Sequence, residues 1–293
     1  MIRILTNPGA NLPDDLVSRY GIEVTSSSIM VDGKSYDTRA SIGLDVVDGW
    51  IASAREYPYV LGTSAAELAR RYVELGAYEG NELLVVMSSR KIIQSYDAAC
   101  SAVRTLASQS SSGPPRIRVA DCGSTDLGLG LAVLLAAQAL ADGLDLDEAA
   151  ELIEAMAACG QFAFVPRTLD NLVKGGKASF LRGWIANIMR VRPVLAFVDG
   201  EAKLVDRCGA SDDHAKVLAD WLAAQHDEGP VWIGVAHGDA PDDAAALEAA
   251  LRERLDVRYS LMRPISPSVY LHAGRRTIGA VVYPLARLPW QPW

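Results

Sequence analysis

Short apolar runs separated by helical patterns recur along the first half of the chain, and that rhythm leaves few folds open. Residues 2–5 read as a strand, and Asn11-Leu-Pro-Asp-Asp15 is a helix-start signal with Pro13 early in the turn. Residues 22–26 read as a second strand. Thr63-Ser64 precede a helical stretch over 65–75, where Ser64 and Glu67, three residues on, form a capping box. Residues 83–87 are continuously apolar, as expected of a strand covered on both faces. Helix composition over 95–107, a strand at 117–120 and an apolar helix over 127–141 complete the pattern. Strand–helix alternation implies a parallel sheet with right-handed crossovers.

The second half reads differently. Residues 169–173 and 180–189 look helical. Asp199-Gly200 is a hairpin-turn signal, so 193–198 and 202–205 are expected to pair antiparallel. A helix over 210–224, a strand at 231–236, a helix over 239–255 and strands at 270–272 and 277–282 follow. At roughly 150 residues per domain, the 293 residues make two α/β domains, 1–160 and 161–293, with the boundary inside 158–165. The first holds a mostly parallel sheet with flanking helices. The second holds an antiparallel sheet.

With 36 acidic and 28 basic residues the net charge is −8, which argues against nucleic acid or an anionic membrane as partner. The 15 uncharged residues 127–141 fall short of the about 20 needed to span a bilayer, so no stable membrane insertion is expected. Met1-Ile-Arg-Ile-Leu-Thr6 carries no signal-peptide pattern, and Cys100, Cys122, Cys159 and Cys208 are far apart. Both point to reduced thiols and the cytoplasm.

Standard catalytic patterns fail. Gly176-Lys177 lacks the remainder of a phosphate-binding loop, and Gly128-x-Gly130 lacks a third glycine and falls inside a helical run. There is no nucleophile elbow, and His214, His226, His237 and His272 share no ligand spacing. No metal, no cofactor and no catalysis are expected.

What the chain does carry is a set of small polar segments at strand ends: Thr6-Asn7-Pro8-Gly9, Thr63-Ser64, Ser88-Ser89 and Asp121-Cys-Gly-Ser-Thr-Asp126. Ligands of such sheets sit outside the carboxyl ends of the strands, and hydroxyls with backbone amides make anion sites there. Helix capping is the plainer reading of each segment. Gly175-Gly-Lys-Ala-Ser179 is either a helix C-cap or an anion-facing loop, and His272 beside Gly274-Arg275-Arg276 is either structural or an anion binder.

The order of these segments resembles the DegV family of bacterial fatty-acid-binding proteins along nearly the whole chain. The T-S pair of that family corresponds to Thr63-Ser64, and its S-S-x-L-S-G-T-Y to Ser88-Ser-Arg-Lys-Ile-Ile-Gln-Ser95. Its D-S stretch corresponds to Asp121–Gly130 in order and spacing. The most specific block reads here as Thr168-Leu-Asp-Asn-Leu-Val-Lys-Gly-Gly-Lys-Ala-Ser179, then Val191-Arg-Pro-Val-Leu195 and Asp199-Gly200; the terminal H-x-G corresponds to His272-Ala-Gly274. The resemblance implies a long-chain fatty acid enclosed between the two domains, with Thr63, Ser64, Ser89, Gln94, Gly176, Lys177, His272 and Arg275 around its carboxylate. It also implies presentation of the acyl group to a separate fatty-acid kinase.

The departures bear on the ligand. The S-G-T triplet falls on Ile92-Ile93-Gln94, which removes a hydroxyl, and the Arg after the double glycine is Lys177, which loses bidentate geometry. Asp212-Asp213 stand where the family tends to be basic, which disfavours kinase docking. Two alternatives stay open: the fold retained for a different amphipathic acid, or a phosphotransfer-type enzyme using His272.

Overall fold

The structure, a computed structural model, describes residues 1–110, 113–176, 191–209, 212–227 and 229–292. Two sheets carry the fold, with a small third one beside them. The first is all parallel, in the order β2-β1-β6-β7: β1 (Ile2–Thr6), β2 (Glu23–Val24), β6 (Glu82–Met87) and β7 (Ile117–Asp121). Residues of β6 alternate between two cores. Leu83, Val85 and Met87 face α3 (Ala65–Glu74) and α4 (Ser95–Gln109). Leu84 and Val86 face α5 (Leu127–Ala141) and α6 (Leu146–Cys159). That double coverage is why the run is apolar without interruption. The strand expected over 22–26 is real only at Glu23–Val24, an edge position that pairs on one side.

The second sheet has six strands in the order β10-β9-β8-β13-β11-β12: β8 (Gln161–Val165), β9 (Val191–Val198), β10 (Glu201–Gly209), β11 (Pro230–His237), β12 (Asp256–Pro264) and β13 (Ile278–Pro284). Asp199 and Gly200 turn the β9–β10 hairpin with φ of 53° and 77°, as their dipeptide predicts. The sheet is antiparallel except for β11 and β12, which run parallel because α9 (Pro241–Arg252) crosses between them. One face packs on α8 (His214–Ala223) and α9. The other turns Phe162, Trp232, Val281 and Tyr283 toward α5 and the first half of the chain.

Helix α5 explains how the halves hold together. It is apolar all round and buried almost from end to end, the signature of a helix with no solvent face. Glycines let it approach both sides: a Cβ on Gly130 would collide with the Ala10 carbonyl, and one on Gly234 in β11 would meet Leu127 Cβ at 2.9 Å. Gly128-x-Gly130 is therefore a packing feature. A single core runs from Ile4 and Leu84 through α5 to Trp232 and Tyr283.

Two elements depart from the sequence reading. Residues 28–61 form the third sheet, β4-β3-β5, from β3 (Ser28–Val31), β4 (Lys34–Asp37) and β5 (Tyr59–Leu61), with α2 (Leu44–Ser53) before β5. Residues 270–272, expected as a strand, belong to helix α10 (Pro267–Ala273), which Pro267 opens at its first turn. The helix expected over 180–189 lies outside the described residues, while that over 169–173 is α7 (Asp170–Lys174).

Candidate functional site

Register brings the carboxyl ends of the parallel strands to one level: Thr6 pairs with Val24 and Val86, and Met87 with Asp121. From β1 the chain turns to β2 on one side and reaches β6 on the other. The crevice outside β1 and β6 is therefore the switch point, where ligands of open α/β sheets bind. Asn7 Nδ2 and Ser88 Oγ meet across it at 3.2 Å. The Gly9 position lies against Asn7 Oδ1, Ser88 Oγ and Thr125 Oγ1, so the loops after β1, β6 and β7 converge there.

This edge is polar and buried. Thr6 is 0% exposed, and Thr25 and Ser124 are 5%. The hydroxyls of these three have no hydrogen-bond partner among the described residues, although buried polar groups nearly always have one. Ser124 lines a cavity of about 170 Å³ between the halves, closed by Met156 and Ala157 of α6 and by Phe162, Phe197, Gly200 and Tyr283. Across that cavity from Ser124, the six-stranded sheet contributes Phe162 and Phe197, part of an apolar cluster. Ring centroids of Phe162 and Phe197 lie 5.4 Å apart, those of Phe164 and Phe197 6.0 Å. Leu169, Leu172 and Leu195 extend it beneath α7. A compartment with hydroxyls on one side and aromatic and aliphatic carbon on the other suits an amphipathic molecule.

The sequence-predicted residues fall in three places. Thr63 donates its hydroxyl to the Ser26 carbonyl beyond β2. Ser64 caps α3 through the Glu67 amide at 3.2 Å, but the expected reciprocal bond is replaced, because Glu67 accepts from Ser26 Oγ at 2.6 Å. Gln94 is exposed at the start of α4, beside Gly62-Thr63, since the Gly62 position touches Ile93 and Ser95. Ser89 lies elsewhere: its hydroxyl donates to the Gly200 carbonyl at 2.7 Å and ties the β6–α4 loop to the β9–β10 turn.

The third place joins α7 and α10. The His272 ring lies so close to Gly175 that a Cβ there would sit 2.5 Å from His272 Nδ1. Gly176 follows with φ of 70°. Lys177 lies outside the described residues. Arg275 is exposed and paired with Asp239 and, at 3.7 Å, with Asp48; it lines an open cleft of about 380 Å³ with Arg167, Asn171 and Arg276. The Asp212 carboxylate accepts from the Gly209 amide at 2.6 Å, and Asp213 caps α8 through the Lys216 amide at 3.3 Å.

Reactive chemistry is muted. Burial pushes the Cys122 thiol up to about 12 and the Cys159 and Cys208 thiols up to about 11, so they are protonated and unreactive at neutral pH. Among the described residues, no group of acidic, His and Cys side chains could hold a metal ion, and no helix is long and apolar enough to cross a membrane.

Sequence reasoning named the segments that hold Thr6, Ser88 and Ser124 but not these side chains as partners. It missed Phe162, Phe164 and Phe197, although the first two alternate along β8 as one face of a strand must.

Comparison with known proteins agrees with this architecture. A DegV domain-containing protein of Mycobacterium tuberculosis is 28% identical over 282 residues, covering 95% of this chain and 96% of that protein. The fatty-acid-binding DegV family protein of Thermus thermophilus superposes with a TM-score of 0.88 at 23% identity, over 97% of this chain and 99% of the other. A DegV family protein of Ruminococcus gnavus refined with vaccenic acid gives 0.86 at 19% identity, over 96% and 99%. The family model described as uncharacterised protein, DegV family, matches residues 1–285, and the chain belongs to that family.

Proposed function

We propose that this chain is a non-catalytic cytoplasmic protein that encloses one long-chain fatty acid between residues 1–160 and 161–293. The observation that carries the reading is the meeting of two surfaces at one cavity, a buried hydroxyl-rich sheet edge with three hydroxyls unpartnered among the described residues and the cluster of Phe162, Phe164 and Phe197. The fatty acids bound by the Thermus and Ruminococcus proteins support it.

In this reading Thr63, His272, Gly176 and Lys177 meet the carboxylate. Thr63 does so by exchanging the Ser26 carbonyl for the ligand. Ser64 and Ser89 hold the walls, one as a helix cap and one as a bond between halves, and Gln94 and Arg275 stand exposed at the approach. About 14 methylenes at roughly 0.8 kcal/mol each contribute roughly 11 kcal/mol before ordering costs. A carboxylate taken out of water needs several donors. The cavity of about 170 Å³ is below the roughly 300 Å³ of the smallest usual ligand pockets, so loading widens it. Kinase presentation is not part of this reading, because Asp212-Asp213 put acid beside the hairpin where docking would need base.

Native and denaturing mass spectrometry on protein purified without added lipid, with an organic extract of the same sample, tests the proposal. A stoichiometric C14–C18 fatty acid is the expected result. An empty protein that also refuses added palmitate overturns it. Thr63→Ala and His272→Ala are each expected to weaken retention by roughly 1.5–3 kcal/mol, the range for a hydrogen bond to a charged group; unchanged retention in both removes these residues from the site.

A further inference from the structure

Outside that donor set, one buried carboxylate sits where the halves meet. Asp126 is 0% exposed and accepts four hydrogen bonds. Its Oδ1 takes Asn11 Nδ2 at 2.9 Å and the Leu127 amide at 3.0 Å; its Oδ2 takes the Ser266 amide at 3.0 Å and the Ser266 hydroxyl at 2.8 Å. Asn11 Nδ2 also reaches the Pro264 carbonyl at 2.8 Å. The Asp126 backbone, at φ 50° and ψ −134°, occupies a region that non-glycine residues seldom adopt, and such a conformation persists only where its surroundings enforce it. Burial holds the Asp126 carboxyl above its ordinary value, and the bonds from Asn11, Ser266 and Leu127 offset only part of that rise. Three of the four partners, Asn11 Nδ2 and the Leu127 and Ser266 amides, can only donate to it.

What these bonds grip is the start of α10. Ser266 precedes Pro267, and its hydroxyl makes no cap bond to its own helix; hydroxyl and amide both go to Asp126. Farther along α10, Tyr270 donates to both Asp48 oxygens at 3.0 Å, and the Leu271 carbonyl accepts from Tyr57. His272 follows in the last turn. We propose that Asp126 is a positioning residue: by holding Ser266 from the edge of the parallel sheet it sets α10, and thereby the His272 ring, against the ligand compartment. This rests on the reading that His272 meets the acid group of a fatty acid.

Asp126→Asn is the decisive variant. Whichever way its amide turns, an NH₂ group opposes at least one donor: Asn11 and the Leu127 amide in one orientation, the Ser266 amide in the other, where the Ser266 hydroxyl can turn to accept. Ser266→Ala removes only the hydroxyl bond. Leu247→Ala, in the core on the far face of the six-stranded sheet, serves as a control for general destabilisation. Three quantities are read: palmitate release by stopped flow, the ¹⁵N shift of the His272 imidazole on palmitate addition, and hydrogen exchange over 267–273. Asp126→Asn is expected to release palmitate about tenfold faster, equal to about 1.4 kcal/mol, with a smaller effect for Ser266→Ala. Its His272 shift is expected to lose most of the palmitate response, and exchange is expected to rise over 267–273 with or without ligand. Leu247→Ala, compared at equal distance from its melting temperature, should release palmitate at the wild-type rate. Wild-type release from Asp126→Asn, or equally fast release from Leu247→Ala, overturns the positioning role. Wild-type protein that takes up no palmitate overturns the fatty-acid reading instead. In that protein, unchanged exchange over 267–273 after Asp126→Asn separately overturns the grip on α10.

Discussion

Gly175→Ala separates ligand grip from stability. Gly175 has φ of −77° and ψ of 4°, which an L-residue adopts without strain, and a compatible Gly→Ala change gains about 0.4–1 kcal/mol from the unfolded state. Against that, the new Cβ would lie 2.5 Å from His272 Nδ1 and 3.0 Å from the Asn171 carbonyl. Carbon contacts prefer about 3.5–4.0 Å, so the ring must swing away by roughly 1 Å while the α7 backbone gives by a few tenths. The two effects on folding nearly cancel, and the melting temperature should stay within a few degrees. Ligand grip should not survive. Losing the His272 bond to a carboxylate removes about 1.5–3 kcal/mol, or about 10- to 150-fold in affinity. Palmitate competition alongside differential scanning calorimetry reads both quantities. Gly143→Ala is the converse control. It has φ of 104° and open space around it, so it should lose about 1–2 kcal/mol through backbone strain and leave affinity unchanged. Wild-type affinity in Gly175→Ala, with His272→Ala impaired, would refute the idea that this contact sets the ring.

Three further outcomes are expected. Phe197→Trp fills part of the cavity of about 170 Å³, so fatty acid extracted from that variant should shift toward shorter chains, read by mass spectrometry. Ser89→Cys with Gly200→Cys should form a disulfide, because a Cβ at 200 would lie 3.6 Å from Ser89 Cβ, within the usual spacing; oxidation should slow ligand exchange and reduction restore it. Burial, with Arg287 nearby, depresses His226 to about 4. Its neutral form thus stabilises the fold above the unfolded pKa of about 6.5, and roughly 1–2 kcal/mol, discounted for partial exposure, is lost as pH falls from there toward 4. Acid titration of His226→Gln should lack that slope.

Local signals made much of the architecture legible. The β6 run announces a strand covered twice, α5 announces a helix without a wet face, and Asp199-Gly200 announces its hairpin. The same dipeptide at Asp32-Gly33 turns β3 into β4 with φ of 47° and 80°, yet it escapes notice because Lys34-Ser-Tyr-Asp37 lacks an apolar alternation. Residues 270–272 mislead because Tyr and Leu suit strands, while Ser266-Pro267 one turn earlier is the helix-start signal that decides the matter. Helix α6 has its own signal in the complete capping box of Asp145 and Glu148. The site was legible only as small polar segments at strand ends. Which hydroxyls lack partners depends on register and burial, and the Ser266 that completes the Asp126 cluster lies 140 positions away in sequence.

On the proposed fatty-acid reading, the interface between the halves favours one side for entry. Parting the halves at α5 would expose a helix with leucines at 127, 129, 131, 134 and 135, all buried, at about 1.5–3 kcal/mol for each side chain. On the other side the halves are joined more by polar contacts, among them Ser89 to the Gly200 carbonyl, Tyr57 to the Leu271 carbonyl and Tyr270 to Asp48, beside the packing of Tyr270 and Leu271 near Val47. Each of these bonds contributes about 0.5–1.5 kcal/mol net, or up to about 3 where a charge takes part. Entry of a fatty acid between the halves is therefore expected to break the second set and leave the packing of α5 intact; faster hydrogen exchange at the Leu271 region than along α5 on adding palmitate checks this. The side expected to stay closed is held by α5, apolar and buried almost throughout, and the side expected to open is held by bonds that water can replace.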